Sequence, residues 1–451
     1  MGVIWQTLGA MGRLFRGQAP GQLIIQLTDR CNARCPQCGM RVLNRFSRTR
    51  LDNDYVKRLL DAGAGRGMAM VSFTGGEPML LRNDLIELIT YAGEVGFRYI
   101  RTGTNGFLFR NHQDPRFADR VNALAERLAA TPLRNLWFSV DSAEPAIHDT
   151  MRGFPGVLQG IAKALPIFHA HGLYPSANIG LNRNLTQKTA HLEPLTGNAA
   201  SEERFAQSFT DGLEQLYRLL FDMGFTLTST CYPMSVEPGT TGLQAVYGAT
   251  AAERLVRFNE REKVLLFQSL SEAVKNFRSR LRIVTPLSSL QSLVNQHSGR
   301  DVQSYYPCRG GIDYLFVDSV DGLTYPCGYR GAESMGPLWK LDEQIHKANR
   351  TTMCRRCDWE CFRDPSELFG PLLQGVSNPM RLVRDHRRDP QFLRLWLEDL
   401  RYARACSFYD GRKTVDYARL QSFSPECVRE RAMGESRVSF SSTRRMTEEV
   451  K

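Results

Sequence analysis

No run in this 451-residue chain approaches the ~20 consecutive apolar side chains that a bilayer-spanning helix requires, so a helical membrane span is excluded. Internal repeats are absent, which excludes a solenoid or propeller of stacked units, and so are low-complexity tracts. Met1–Arg16 carries Val3, Ile4, Trp5, Leu8, Met11, Leu14 and Phe15 beside Arg13 and Arg16, but no small-residue cleavage site. That pattern argues for a docking helix over a signal peptide, with contact to a membrane surface as the lesser reading. Without a secretion signal, the eleven cysteines point to metal ligation rather than disulfides, and the expected location is cytoplasmic. What remains is ordinary for a globular enzyme: 42% hydrophobic and 23% charged residues, in a length that suggests two or three units. The net charge of +11 suits an anionic substrate or partner. Charge alone does not make a nucleic-acid binder, and none is expected.

Strand and helix patterns alternate along the first half. Gln22–Thr28 reads as a buried strand, followed by an amphipathic helix over Asp52–Ala62 that the glycines at 63–67 should stop. Further strands are expected at Met68–Phe73, Tyr99–Thr104, Leu136–Val140, Ser176–Leu181 and Thr226–Thr230. Helices near Asn83–Val95, Phe117–Ala130, Val157–His171 and Glu202–Met223 separate them. Six such alternations call for α/β architecture with a parallel sheet. Residues 238–300 read as connecting helices, including Ala251–Glu260 and Glu262–Phe277. A cysteine-rich segment spans 301–372, and a basic helical tail runs from 373 to 451, with one helix capped by Asp389-Pro390 and a polar, frayed last ~25 residues. The expected units are therefore 1–20, 21–237, 238–300, 301–372 and 373–451.

The most informative segment follows the first strand. Cys31, Cys35 and Cys38 form a C-x3-C-x2-C loop that can offer three thiolates to a 4Fe–4S cluster and leave the fourth iron open. A zinc knuckle would want a fourth ligand nearby, and residues 39–60 contain no Cys or His. The second strand runs into Thr74-Gly75-Gly76-Glu77-Pro78. The cysteine loop and this Gly-Gly-Glu-Pro segment together resemble the radical S-adenosylmethionine (radical SAM) superfamily. The resemblance implies a partial TIM-like barrel of six β/α units, open on one side, with chemistry at the C-terminal strand ends. It implies that S-adenosyl-L-methionine chelates the open iron and is split by one electron to a 5′-deoxyadenosyl radical that abstracts hydrogen from substrate. An electron donor such as flavodoxin or ferredoxin would supply that electron. Gly75, Gly76 and Glu77 would face the methionyl amine.

Ser139-Val140-Asp141, followed by His148 to Arg152, is similar to a pattern of the larger members, in which the serine and arginine bind the cofactor carboxylate. Ser139 and Arg152 are carried over on that basis, with a surface ion pair as the alternative for Arg152. Asn105 either lies near the cofactor or is a turn asparagine. Gln37 stands where an aromatic residue is usual, which puts adenine stacking there in question.

Cys308, Cys327, Cys354, Cys357 and Cys361 resemble the C-terminal SPASM/Twitch extension, which binds auxiliary 4Fe–4S clusters. Asp321-Gly322 reads as a hairpin turn between Tyr314–Val317 and Leu323–Tyr325, which brings Cys308 and Cys327 together. Five cysteines suffice for one auxiliary cluster and not two; Cys361 competes for the fourth position, and structural zinc is the alternative. Cys231 either returns a hydrogen atom to a substrate radical or is a buried small hydrophobe. Cys406 and Cys427 are incidental. The Arg381, Arg384, Arg387 and Arg388 run is a solvated face or a cover for an acidic substrate. The expected substrate is a peptide, protein or natural product, with a sugar or nucleotide dehydrogenase or cyclase as the alternative and a non-catalytic iron–sulfur carrier as a distant one. Only about 20 residues precede the barrel, too few for the peptide-recognition domain of several peptide-modifying relatives.

Overall fold

The computed structural model describes residues 12–38, 49–233, 254–299, 306–341, 354 and 357–430. Its frame is one sheet of nine strands in the order β7-β6-β5-β4-β3-β2-β1-β8-β9. These are β1 (Gly21–Thr28), β2 (Met68–Gly75), β3 (Tyr99–Thr104), β4 (Leu133–Val140), β5 (Ser176–Gly180), β6 (Leu227–Cys231), β7 (Arg282–Ile283), β8 (Tyr314–Val317) and β9 (Thr324–Tyr325). Neighbouring strands from β1 through β7 pair in parallel, as the six β/α alternations require. Neither end of the row pairs with the other, so the barrel stays open.

Two features exceed the expectation. A short seventh strand, β7, lies inside the segment read as connecting helices. Two residues carry too little pattern to be seen in sequence. The first strand of the cysteine-rich hairpin, β8, also pairs in parallel with β1, with Gln22 opposite Tyr314 and Ile25 opposite Val317. β1 is therefore flanked on both edges, and all eight of its residues are buried. β9 then returns antiparallel to β8 through Gly322, whose φ of +70° suits glycine.

Helices cover the outer face: α1 (Asn53–Gly65), α2 (Arg82–Glu94), α3 (Phe117–Ala129), α4 (Pro145–Arg152), α5 (Val157–Ala170), α6 (Ala199–Met223), α7 (Glu260–Phe277) and α8 (Leu287–His297). Asp52 caps α1 by accepting the Asp54 and Tyr55 N–H groups. The helix runs on through Gly63 and Gly65, against the expected stop at Ala62, because Gly63 packs flush against Leu23 and Phe97. The expected Ala251–Glu260 helix is corrected: Arg254–Val256 is a single 3-10 turn, and α7 starts only at Glu260, where Asn259 and Glu262 form a capping box. Residues 251–253 lie outside the described residues, as do 1–11 of the N-terminal segment and the end of the tail beyond 430.

Helix α9 (Glu360–Ser377) crosses the 372/373 boundary drawn from sequence. It seals a second apolar cluster with β8 and β9 through Phe362, Tyr314 and Phe316. Then follow α10 (Pro379–Arg388), with Arg381 and Arg384 exposed around Asp385, and α11 (Pro390–Ala405). The tail is less peripheral than its charge suggests. Buried Asp399 takes the Arg278 guanidinium at 2.5 Å and the Leu287 and Ser288 N–H groups, which fixes α11 to α7 and α8.

Candidate functional site

The site is built where β1 to β4 end. Gly75, with φ +144°, ends β2 so close to β1 that a Cβ there would stand 2.2 Å from the Thr28 carbonyl oxygen. At Gly76 a Cβ would stand 2.2 Å from the Arg30 carbonyl oxygen. These glycines let the backbone close on the cysteine loop: Gly76 donates to Thr28 O at 2.7 Å and Glu77 to Arg30 O at 2.9 Å. The partner these glycines meet is the loop that carries Cys31.

Glu77 is buried, and its carboxylate is engaged by the chain itself. Oε1 accepts the Met79 N–H at 3.0 Å and Oε2 the Asn105 N–H at 2.6 Å. Burial pushes its carboxyl up to about 7 despite these donors. Glu77 thus ties the end of β2 to the end of β3. Asn105 makes the expected turn and also reaches the cysteine loop. Its Oδ1 makes the turn by accepting the Phe107 N–H, while Nδ2 reaches Asn32 at 2.9 Å and the Cys31 sulfur at 3.8 Å.

Arg152, at the end of α4, lies over the same loop. Asp141 grips it with two bonds, Nε–Oδ2 at 2.6 Å and Nη2–Oδ1 at 2.8 Å, and Nη1 lies 3.7 Å from the Cys35 sulfur. Asp141 was missed as a site residue, although its spacing to Arg152 is visible in sequence. Beneath it, the Asp141 N–H donates to Nδ1 of His148, and Asn182 donates to the Asp141 carbonyl. Burial pushes the His148 imidazole down to about 4, so it sits neutral as an acceptor. Ser139, on the inward row of β4, stands half-buried opposite Asn178.

Cys31, Cys35 and Cys38 are free thiols. The Cys38 N–H donates to Cys35 O at 3.1 Å, and the Ala33 N–H points at the Cys31 sulfur at 3.4 Å. Burial raises both the Cys31 and Cys35 thiols, Cys35 to about 11 with Arg152 acting against the rise. A cation is what such crowded, desolvated thiols need before they ionise, so this donor set fits an iron–sulfur cluster. Beside them the Gln37 amide has both polar atoms buried with no partner among the described residues, which leaves it free for a polar cofactor.

The second cysteine group separates into two. Cys308 and Cys354 form an antiparallel bridge, Cys308 N to Cys354 O at 2.9 Å. Electrostatic coupling links these two with Cys327 and Cys357. The Gly310 and Tyr329 N–H groups point at the sulfurs of Cys308 and Cys327, each at 3.4 Å. Burial drives the Cys308 thiol up to about 11 and those of Cys327 and Cys357 further. Cys361, expected to compete for the fourth place, is hydrogen-bonded instead to Glu360, whose Oε1 also takes Cys231. Cys406 is sealed in the core.

Two side chains at the barrel interior carried no sequence signal. Arg101, inward on β3, donates Nε to Ser72 Oγ at 2.5 Å and lies over Trp137. Glu360 starts α9 and reaches β6. A single arginine in a strand and a single glutamate in a helix look like solvated charges until the fold turns them inward.

An open parallel barrel with three free thiols at its C-terminal strand ends, buttressed by a Gly-Gly-Glu segment and an arginine clamp, defines a class of enzyme that works through a bound cluster. The family model described as the radical SAM superfamily matches residues 25–187. The AdoMet-dependent heme synthase of Methanosarcina barkeri is 24% identical over 359 residues, 78% of this chain and 87% of that protein. The PqqA peptide cyclase of Rhodopseudomonas palustris is 33% identical over 148 residues, 33% of this chain and 35% of that one. In fold, Streptococcus suis SuiB bound to S-adenosylmethionine matches with a TM-score of 0.51 at 15% identity, covering 77% of this chain and 72% of SuiB. Over residues 25–187 the chain carries a radical SAM domain, the domain of enzymes that bind a 4Fe–4S cluster and S-adenosylmethionine. Among the described residues no helix is long and apolar enough to cross a membrane.

Proposed function

We propose that this enzyme reductively cleaves S-adenosylmethionine and abstracts hydrogen from a peptide, protein or natural-product substrate, with an auxiliary 4Fe–4S cluster for electron transfer or substrate binding. In this reading Cys31, Cys35 and Cys38 hold the first cluster, and residues 21–237 form the unit built around it. When bound, that cluster supplies one electron to split the sulfonium C–S bond, yielding methionine and a 5′-deoxyadenosyl radical. The chain's own part is positioning. Gly75 and Gly76 let β2 clamp the cysteine loop, and Glu77 locks the clamp to Asn105. Asp141 sets the Arg152 guanidinium beside Cys35, where its positive charge favours the thiolate and can meet a carboxylate. Ser139, on β4 two residues before Asp141, is the second group proposed to meet that carboxylate.

Cys308, Cys327, Cys354 and Cys357 would hold the auxiliary cluster within the 301–372 unit. The N–H groups aimed at Cys308 and Cys327 support a thiolate-ligated metal there. One observation favours a natural product within the substrate class: a relative matched over most of both chains is named a heme synthase, whereas the Rhodopseudomonas palustris peptide cyclase matches about a third of the chain. Arg101, half-buried inside the barrel, also suits an anionic group. The observation that carries the proposal is the three-thiol loop clamped by Gly75–Glu77. Cluster-reconstituted protein treated anaerobically with dithionite and S-adenosylmethionine should release 5′-deoxyadenosine. Protein that holds its iron and releases none would refute it.

A further inference from the structure

Inside the barrel Arg101, Asn178 and Cys231, on the inward rows of β3, β5 and β6, are half-buried, while Thr102, Ala177 and Thr230 beside them are sealed. At the end of β6, the Cys231 thiol donates to Oε1 of Glu360 at 3.1 Å, and the Cys361 thiol donates to the same oxygen at 3.3 Å. The other oxygen accepts the Tyr232 N–H at 3.3 Å, and Asn178 Nδ2 reaches the Cys231 sulfur at 3.5 Å. Asp364 extends the group by accepting the Tyr232 hydroxyl at 3.1 Å. Two thiols 130 residues apart in the chain are thus brought onto one carboxylate oxygen.

We propose that Cys231 and Cys361, bridged by Glu360, form a dithiol that returns a hydrogen atom to the substrate radical. It rests on the radical chemistry proposed above and names how that chemistry ends. An S–H bond is weaker than alcohol O–H, amide N–H and most C–H bonds, so a carbon radical held beside Cys231 takes hydrogen from sulfur in preference to these. Burial, then the Glu360 charge, drives both thiols well up, which keeps them as S–H rather than as thiolates. The Cys231 S–H bond breaks as the substrate C–H bond forms, leaving a thiyl radical on Cys231. That sulfur bonds to Cys361 while the Cys361 proton passes to Glu360. The resulting disulfide radical anion yields one electron to an iron–sulfur acceptor of the ferredoxin type and becomes a disulfide. A dithiol reductant of the thioredoxin type restores both thiols.

The test needs no substrate. In thiol-free D2O buffer, cluster-loaded protein is reduced with titanium(III) citrate, freed of excess reductant and given S-adenosylmethionine with oxidised ferredoxin as the one-electron acceptor. Uncoupled cleavage then forces the radical onto the weakest bond in reach. Cluster-loaded wild-type protein should give 5′-deoxyadenosine carrying one deuterium, with paired loss of two alkylatable thiols. In Cys231→Ser the deuterated fraction should fall to background. In Cys361→Ser deuterium should still appear but without disulfide. Iron per chain and circular dichroism report whether each variant is folded. Undeuterated product from wild type, or unchanged deuteration in folded Cys231→Ser, overturns the dithiol while sparing the radical reading. No 5′-deoxyadenosine at all removes both.

Discussion

Gly76→Ala is the sharpest probe of the clamp. The added Cβ would fall 2.2 Å from the Arg30 carbonyl oxygen, 2.5 Å from its carbon and 2.9 Å from the Asp29 oxygen. Real Cβ atoms keep at least 3.0 Å, so the backbone next to Cys31 must retreat by roughly 0.8 Å or the end of β2 must. No flexible side chain is there to yield. Overpacking of this kind costs about 1–3 kcal/mol, little enough for the chain to stay folded. A displacement near 1 Å at a reacting centre costs about 100-fold in rate. The expected result is therefore a folded protein whose 5′-deoxyadenosine formation is about 100-fold slower, with iron lost from the first cluster alone. Gly65→Ala is the matched control. It lies in α1 with nothing within 4 Å, so it should be neutral or stabilising by up to about 1 kcal/mol. Iron and sulfide analysis with product quantification on both variants decides the matter. Normal iron and wild-type rate in Gly76→Ala would refute the reasoning.

Asp141→Asn should leave the Arg152 guanidinium, now without its carboxylate, beside Cys35; a loss of about 3–5 kcal/mol in urea unfolding and a raised KM for S-adenosylmethionine are expected. His148 carries a pH dependence. Its folded pKa near 4 lies below the unfolded 6.5, so its stabilising contribution is complete above 6.5 and is lost as pH falls toward 4, by at most about 3 kcal/mol. Buried Glu77, raised to about 7, works in the opposite sense, since stability is lost as pH rises from 4.5 to 7. The difference in unfolding free energy between wild type and His148→Asn, followed from pH 7 to 4, isolates the histidine; a flat difference would contradict its neutral, buried state. Cys327→Ser should roughly halve the iron bound per chain, whereas Cys361→Ser should leave it unchanged. The reverse outcome would move Cys361 into the ligand set.

The first six strands were legible because parallel, doubly covered strands must be apolar along their length, and each expected strand has its counterpart within a few residues. The cysteine loop and Gly-Gly-Glu were legible because their chemistry is local: three thiols within eight residues, and two glycines where only glycine fits against Thr28 and Arg30. The hairpin at Asp321-Gly322 was legible for the same reason. The two-residue β7 escaped because it has no period to read, and β8 gave no hint that it joins the barrel sheet. Periodicity reports which face is buried and never which strand lies alongside.

Sequence by itself determined the alternation of elements, the thiol loop and the segment that clamps it, since each depends on residues a few positions apart. Tertiary structure alone decided that Glu360 meets Cys231, that Cys361 parts from the other four cysteines, and that Arg101 and Asp399 point inward. Those contacts join positions more than 100 residues apart, Arg101 excepted, and even its inward aim is set by the packing of neighbouring strands. Local composition fixes what a residue can do; only the fold fixes what it does it to.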